Sequence, residues 1–213
     1  MENISDIELR AFENSTIGKK EISFANELKR MAKEELKKAE KREEFMRSKL
    51  SVAKIREDLA EQNKKLVEHK LKSKHLIQAS DVALKHDQEF TSFHEKMAKI
   101  QREIAKIHKE IAQQERKIAE RRIDLAKEKI DLGKKRISIS KKQKAFVKAI
   151  KAIKKDEKIK DIKSQYENEQ KELNDARNDI LEIEKDIRKN ANKIADLKGT
   201  LALKLTESGK ILY

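Results

Sequence analysis

The sequence contains no cysteine, no proline and no tryptophan, and it has four glycines among 213 residues. Without cysteine, the chain cannot form disulfides or bind a metal through thiolates. The isolated glycines cannot form a phosphate-binding loop or a dinucleotide fingerprint. No apolar run exceeds three residues, far below the ~20 of a membrane-spanning helix, and the acidic start MENISDIELR does not resemble a secretory signal. We therefore predict a cytoplasmic protein, with peripheral association as its one route to a membrane.

Residues that usually carry catalysis are also absent or poorly spaced. No serine stands in a strand-to-helix elbow, and there is no cysteine nucleophile. Among the five histidines, His86 and His94 lie roughly 80° apart around a helix and neither belongs to a Glu-x-x-His pattern. We predict a protein that is not an enzyme, with no catalytic residues, no cofactor and no metal site.

What the sequence does have is charge and a seven-residue period. Charged residues make up 43% of the chain, a composition typical of coiled coils and long helices. A large apolar residue followed by a small one recurs every seven residues from Met97-Ala98 to Ile139-Ser140. The same device runs from Phe24-Ala25 to Leu66-Val67, with Lys38 at one large position and Met46 and Val67 at two of the small ones. Small residues let a neighbouring helix approach to ~8 Å. We predict that the first two helices pack with their alanine sides together, and that the second contributes these packing residues: Ala98, Ala105, Ala112, Ala119, Ala126 and Gly133.

Two breaks in the heptad phase, at EHKLKSKH (68–75) and KKDEK (154–158), predict turns. The resulting helices span about 19–68, 76–154 and 158–199. The fold class is then all-α: an elongated antiparallel three-helix coiled coil. It is expected to be oligomeric, because thin helical rods with wide apolar faces bury them fully only against a second chain. The alternative is a single long rod-like helix in a parallel coiled coil, with the two phase breaks absorbed as stutters.

Four further features refine this organisation. Residues 1–18 form a separate acidic N-terminal segment, and Asn190 is a polar seam residue that fixes helix register. The tail 200–213 alternates Leu201, Leu203 and Leu205 before Ser208-Gly209, which predicts a short hairpin or, equally, a frayed end. In the middle helix the second apolar stripe moves from Ile100 and Ile107 to Ile123, Ile130 and Ile137, which predicts a change of partner between residues 110 and 120.

The charge distribution supplies the functional hypothesis. The formal net charge is +14, and the window Leu132–Lys155 holds ten basic residues and no acid, whereas acids and bases alternate closely elsewhere. We interpret the window as an anion-binding surface; an ordinary solvated helix face is the alternative. The candidate binding residues are Lys134, Lys135, Arg136, Lys141, Lys142, Lys144, Lys148, Lys151, Lys154 and Lys155. Membrane lipid and acidic protein are the expected partners; nucleic acid is disfavoured because no aromatic residue shares the lysine face to stack on bases.

The stretch KKDEKIKDIKSQYENEQKEL, Lys154 to Leu173, together with three long helices, resembles the BAR-domain superfamily, in particular its amphiphysin-type members. The resemblance implies a crescent-shaped homodimer whose basic surface binds and curves membranes. The lipid-facing residues would then be Lys141, Lys144, Lys148, Lys151, Lys154, Lys155 and Lys158.

The residues themselves favour a structural protein that self-associates into a rod, dimer or filament and docks through its basic patch. A BAR-like membrane-shaping dimer is the first alternative, and a nucleic-acid-binding coiled coil is the second.

Overall fold

The computed structural model describes residues 4–73, 81–152 and 156–212, and these contain three helices and no strand. Helix α1 spans Ile4–Lys72, α2 spans Asp81–Lys151 and α3 spans Asp156–Leu212. The predicted all-α class is confirmed. Helices α1 and α2 of one chain contact each other, so the alternative of one unbroken rod-like helix is wrong.

The helix ends differ from the predicted ones at both termini. Helix α1 begins at Ile4 rather than near residue 19, so the acidic N-terminal residues are part of it. The small-residue period explains the extension, because Ala11, which is fully buried, and Gly18 precede Ala25 by multiples of seven. Of the turn predicted at 68–75, residues 68–72 belong to α1, and of the turn predicted at 154–158, residues 156–158 belong to α3. Residues 74–80 and 153–155 lie outside the described part.

The C-terminal tail is helical, and the predicted hairpin is wrong. Helix α3 continues through Leu212, and Thr206 donates its hydroxyl to the Ala202 carbonyl, one turn earlier. Leu201 and Ser208, which are half-buried, stand seven residues apart and continue the seam of Ile194. The heptad period therefore prevails over the local alternation of leucines.

The described residues group into two compact units. The first comprises Met1–Leu36 and Ile118–Lys189, and the second comprises Lys37–Lys117 and Asn190–Tyr213. Each unit thus draws on all three helices, and each is described separately below.

In the first unit, side-chain contacts join α1 to α2 along the whole shared length: Asn14 with Gln143, Glu21 with Arg136 and Glu35 with Arg122. Residue numbers that rise along α1 are matched by numbers that fall along α2. The contacts of α3 with α2 follow the same rule: Glu169 with Ser138, Glu184 with Lys129 and Asp186 with Arg121.

The core of the first unit lies mainly between α2 and α3. Its buried side chains come from the large heptad positions of α2 and from the seam of α3: Leu125, Leu132, Ile139, Leu173, Ala176 and Ile180. Ile139 is fully buried, and Leu28 of α1 packs against the edge of the cluster together with Tyr166. Burying a large aliphatic side chain of this kind stabilises the fold by about 1.5–3 kcal/mol.

In the second unit, α1 and α2 remain paired through ionic contacts: Arg42 with Glu115, Glu57 with Arg102, and Lys70 with Asp87. Helix α3 joins α2 through Lys204, whose ammonium lies 2.7 Å from a Glu103 carboxylate oxygen. The hydrogen bond to Glu103, followed by one to Glu207, raises the pKa of Lys204 well above its ordinary value.

The predicted change of partner in the middle helix is therefore wrong. Helix α1 contacts α2 in the first unit through Arg122 and in the second unit through Glu115. Because α1 starts at Ile4, each unit contains a part of α1 beside α2. The later apolar stripe of α2 also serves α1, since an atom of Ile137 would lie 3.0 Å from a Cβ added at Gly18.

The small residues form two buried columns where α1 meets α2. A Cβ added at Gly18 would lie 2.6 Å from the Gly133 carbonyl oxygen, and one added at Gly133 would lie 2.7 Å from the Gly18 carbonyl oxygen. The two backbones therefore touch at this point. Steps of seven residues from this pair reach three further pairs of small residues in the first unit, and all six residues are buried: Ala11 with Ser140, Ala25 with Ala126, and Ala32 with Ala119.

An acidic residue in the second unit is buried beside the same interface. The Glu43 side chain is 5% exposed and accepts hydrogen bonds from Arg47 at 2.7 Å and from Gln113 at 3.2 Å. Arg116 lies 3.5 Å away. The hydrogen bond from Arg47, opposed by burial and helped by the one from Gln113, keeps the pKa of Glu43 below its ordinary value.

This lowered pKa predicts a pH-dependent contribution to stability. A carboxylate whose pKa falls on folding stabilises the fold above its unfolded-state pKa, and the contribution disappears as the pH drops through the folded-state value. We expect Glu43→Gln to lower the free energy of unfolding by about 1–2 kcal/mol at pH 7. The deficit should vanish in strong acid. Urea unfolding at a series of pH values from 7 downward measures the deficit, with exposed Glu40→Gln as the control; a deficit that does not shrink as the pH falls would contradict the assignment.

Candidate functional site

The basic window predicted from the sequence lies near the C-terminal end of α2, in the first unit, where α2 is flanked by α1 and α3. Among its described cations Arg136 is the most buried: its side chain is 14% exposed, and its Nε lies 2.9 Å from a Glu21 oxygen of α1. Such a partly buried, charge-assisted contact ties the two helices together. Arg136 is therefore held between α1 and α2 by an ion pair.

Other cations of the window also have acidic neighbours. Lys142 forms an ion pair with Glu169 of α3, and Lys135 donates to the Glu172 carbonyl oxygen at 3.3 Å. Glu169 interrupts the apolar seam of α3, and Lys142 together with the Ser138 hydroxyl explains why an acid is tolerated there. The acids missing from the window itself are thus supplied by neighbouring helices.

The two ends of the described window are paired as well. Lys151 lies 2.7 Å from Glu8 of α1, and Lys134 lies 3.1 Å from Asp131 one turn earlier on α2. Both pairs are about half exposed, so each contributes less than about 1 kcal/mol. Lys154 and Lys155 lie outside the described residues.

Lys134 and Lys151 are exposed despite these pairs, and three further lysines of the window are exposed as well. Lys141, Lys144 and Lys148 are exposed, and none of the described carboxylates lies within ion-pair distance of them. On a helix, Lys141 and Lys148 share one line and Lys144 lies about 60° to its side. Within the predicted ten-residue patch these three form a compact exposed group without a described acidic neighbour, which we call the lysine face.

A polar cluster beneath the lysine face was missed by the sequence reasoning. Gln143 is buried, accepts a hydrogen bond from Asn14 of α1 at 3.2 Å, and donates one to the Tyr166 hydroxyl of α3 at 3.4 Å. Ser140, also buried, donates its hydroxyl to the Ala11 carbonyl oxygen at 2.6 Å. Ser140 and Gln143 are polar residues at seam positions inside the window, and this was the signal in the sequence that could have revealed the cluster. The cluster connects all three helices just behind the lysine face.

The six predicted packing residues are all buried: Ala98, Ala105, Ala112, Ala119, Ala126 and Gly133. Asn190 is half-buried on α3, and its role in register stays a prediction.

A second surface is formed by the large heptad residues of α1. These side chains remain largely in solvent, although the residue after each is buried, except after Phe45, where Met46 is half-buried. In the first unit they are Ile17, Phe24 and Met31, and in the second unit Phe45, Val52, Leu59 and Leu66. Ile55, which is 56% exposed, lies between Val52 and Leu59 on the same side of the helix. Scattered exposed hydrophobic residues are ordinary, but a heptad row of them marks an interaction surface.

The first unit also contains a cavity of about 540 Å³ between the three helices. Its walls include Ile7 of α1, Phe146 and Ile150 of α2, and Tyr166 of α3, with Lys142 at the edge. Across the described ranges no cluster of acidic or histidine side chains could hold a metal ion. The same ranges contain no helix that is apolar enough over sufficient length to cross a bilayer.

Comparisons with known proteins found no matching family model, no matching curated protein and no matching solved structure.

Proposed function

We propose that this is a structural, non-enzymatic coiled-coil protein that self-associates and docks on an anionic partner. The three helices of one chain pack antiparallel, copies of the chain join through apolar surface, and the lysine face contacts the partner. The observation that carries the proposal is the exposed heptad row of large hydrophobic residues on α1. A coiled-coil helix with one apolar row unused is incomplete as a single chain.

The antiparallel arrangement is supported by the register of contacts within each unit. In the first unit the partner of Asn14 is Gln143 and that of Glu35 is Arg122, so 21 steps forward on α1 correspond to 21 steps back on α2. In the second unit, Arg42 with Glu115 and Lys70 with Asp87 repeat the relation over 28 residues. A constant sum of residue numbers is the signature of antiparallel pairing.

Sedimentation of the full chain over a wide range of concentrations tests self-association. We expect a mass of at least two chains, because apolar rows of this kind are stable only when covered. Electron microscopy of the same samples separates a discrete dimer from a rod or filament. A single-chain mass at every concentration would contradict the proposal.

Docking on an anionic partner is a second element, supported by the exposure of Lys141, Lys144 and Lys148 without a described acidic neighbour. Of the candidate partners we favour an anionic membrane surface, which the resemblance to BAR domains also implies. Each lysine near such a surface contributes about 1 kcal/mol. The lysine face would then account for roughly a hundredfold in partitioning.

Reversing the charge of the lysine face tests this docking. The variant Lys141→Glu, Lys144→Glu, Lys148→Glu should lose at least about a hundredfold in binding to phosphatidylserine vesicles while keeping its helicity. A control with the same change in net charge, Lys185→Glu, Lys189→Glu, Lys193→Glu, replaces exposed lysines of α3. Equal binding of the native chain to anionic and neutral vesicles would exclude a membrane as the partner. If that chain then binds duplex DNA, the nucleic-acid alternative is favoured.

A further inference from the structure

We propose that the surface joining two copies is the α1 row of the second unit, and that it is occupied by the same row of a second copy running in the same direction. We call this row the α1 stripe; it consists of Phe45, Val52, Ile55, Leu59 and Leu66. This inference rests on the self-association proposed above and names its surface and its orientation.

The first argument is exposure. The five side chains of the α1 stripe are between 48% and 56% exposed, whereas Ala53 and Ala60 beside them are 6% and 5% exposed against α2. In the first unit, the equivalent large positions of α2 are buried beneath α3. The α1 stripe is therefore the apolar side of a helix whose other side is already packed.

The second argument is geometry. Phe45, Val52, Leu59 and Leu66 stand at intervals of seven, and Ile55 falls three residues after one of them and four before the next. This is the a and d spacing of a two-stranded coiled coil. The stripe is ~32 Å long. The contacts of α1 with α2 already hold the helix in shape, so a second copy would bind a preformed surface at a small cost in conformational entropy.

The third argument is charge, and it selects the orientation. Two rows of residues flank the α1 stripe. The row four residues after each large residue includes Lys49, Arg56 and Lys70, and we call it the basic edge. The row one residue before each large residue includes Glu44 and Asp58, and we call it the acidic edge. Parallel helices in register bring Glu44 of one copy against Lys49 of the other, twice by symmetry, and place Arg56 against Ser51 and Asp58 against Asn63. Antiparallel helices would instead bring Lys49 against Arg56.

Local contacts are consistent with this edge assignment. The Lys49 ammonium lies 5.1 Å above the Phe45 ring, which holds it at the border of the stripe. Lys65, the one base on the acidic edge, is paired with Glu61 at 3.0 Å, and Lys70 is paired with Asp87 at 3.2 Å. The two like charges that a parallel pair would bring together are therefore already partly neutralised within each copy.

The absence of native cysteine allows a direct test of orientation. Ser48 and Gln62 are exposed polar residues at d positions of the α1 stripe, 14 residues or ~21 Å apart. In a parallel dimer in register, Ser48→Cys and Gln62→Cys each meet their own copy, and each variant should oxidise to a disulfide-linked dimer. Because a disulfide requires Cα atoms within about 7 Å, an antiparallel dimer can link at most one of the two positions. Lys54→Cys, which is exposed off the stripe, is the control and should stay monomeric on a denaturing gel.

A second pair of variants removes the surface itself. Val52→Asp with Leu59→Asp should abolish the assembly seen by sedimentation while leaving helicity intact, because both side chains are exposed. Linkage at both cysteine positions together with this loss would support the inference. Linkage at only one position would overturn the parallel orientation, and an assembly that survives both aspartates would overturn the surface. In both of these cases self-association itself would stand; only a native chain that sediments as a monomer would remove it.

Discussion

Replacing Gly133 by alanine is expected to lower the free energy of unfolding by about 1–3 kcal/mol, although alanine is the better helix former. The added Cβ would lie 2.7 Å from the Gly18 carbonyl oxygen and 2.7 Å from an atom of Ile22. A backbone oxygen cannot move aside as a flexible side chain can, so α1 and α2 must separate locally. Gly18→Ala should act in the same way, because its Cβ would lie 2.6 Å from the Gly133 carbonyl oxygen.

The chain supplies a matched control of opposite sign. Gly199 is also inside a helix, but a Cβ added there meets no described atom within 4 Å. Gly199→Ala should therefore raise the free energy of unfolding by about 0.5–1 kcal/mol, the ordinary gain from replacing glycine in a helix. Urea unfolding of the three variants measures these values. If Gly133→Ala proves as stabilising as Gly199→Ala, the two backbones are not in contact.

Leucine in the alanine columns is expected to have the largest effect on stability. Ala119 is 1% exposed, Ala126 is 0% exposed, and steps of seven residues from the Gly18–Gly133 contact place alanines of α1 opposite both. Leucine matches alanine closely in helix propensity, so any loss comes from packing alone. Each of Ala119→Leu and Ala126→Leu should cost about 1–3 kcal/mol or more. Ala112→Leu applies the same test in the second unit.

Thermal unfolding followed by circular dichroism measures this loss. The double variant Ala119→Leu, Ala126→Leu should melt well below the native chain, because two oversized residues push apart the same pair of helices. Ala191→Leu and Ala202→Leu replace exposed alanines of α3 and should leave the melting temperature nearly unchanged. An unchanged melting temperature in the double variant would show that the columns do not bring the helices close.

The predicted and observed structures agree most closely where a residue's role follows from its period. Phase breaks in the heptads divided the chain into three helices, and the large-small repeat marked Ala98 to Gly133 as a single column. They disagree where local signals competed with the heptad. The alternation of Leu201, Leu203 and Leu205 suggested a strand, yet the seam through Ile194, Leu201 and Ser208 keeps the tail helical.

The basic window shows what the sequence alone could not decide. Ten cations without an acid look like a binding surface, because the sequence displays only neighbours along one helix. Glu8 and Glu21 are more than 100 residues away in the chain, yet they lie beside Lys151 and Arg136. Charge neutralisation between helices depends on their register, so only the folded structure separates Lys141, Lys144 and Lys148 from the rest.

The sequence by itself determined the helical class, the positions of the apolar rows and the alanine columns, because these depend on spacing along one chain. The tertiary structure decided which of those rows is used within the chain. The small residues of α1 face α2, where backbones can approach closely, and this leaves the large residues of α1 in solvent. One side of a helix can pack against only one neighbour. Because the alanine side of α1 packs against α2, the large residues of the α1 stripe on its other side remain exposed.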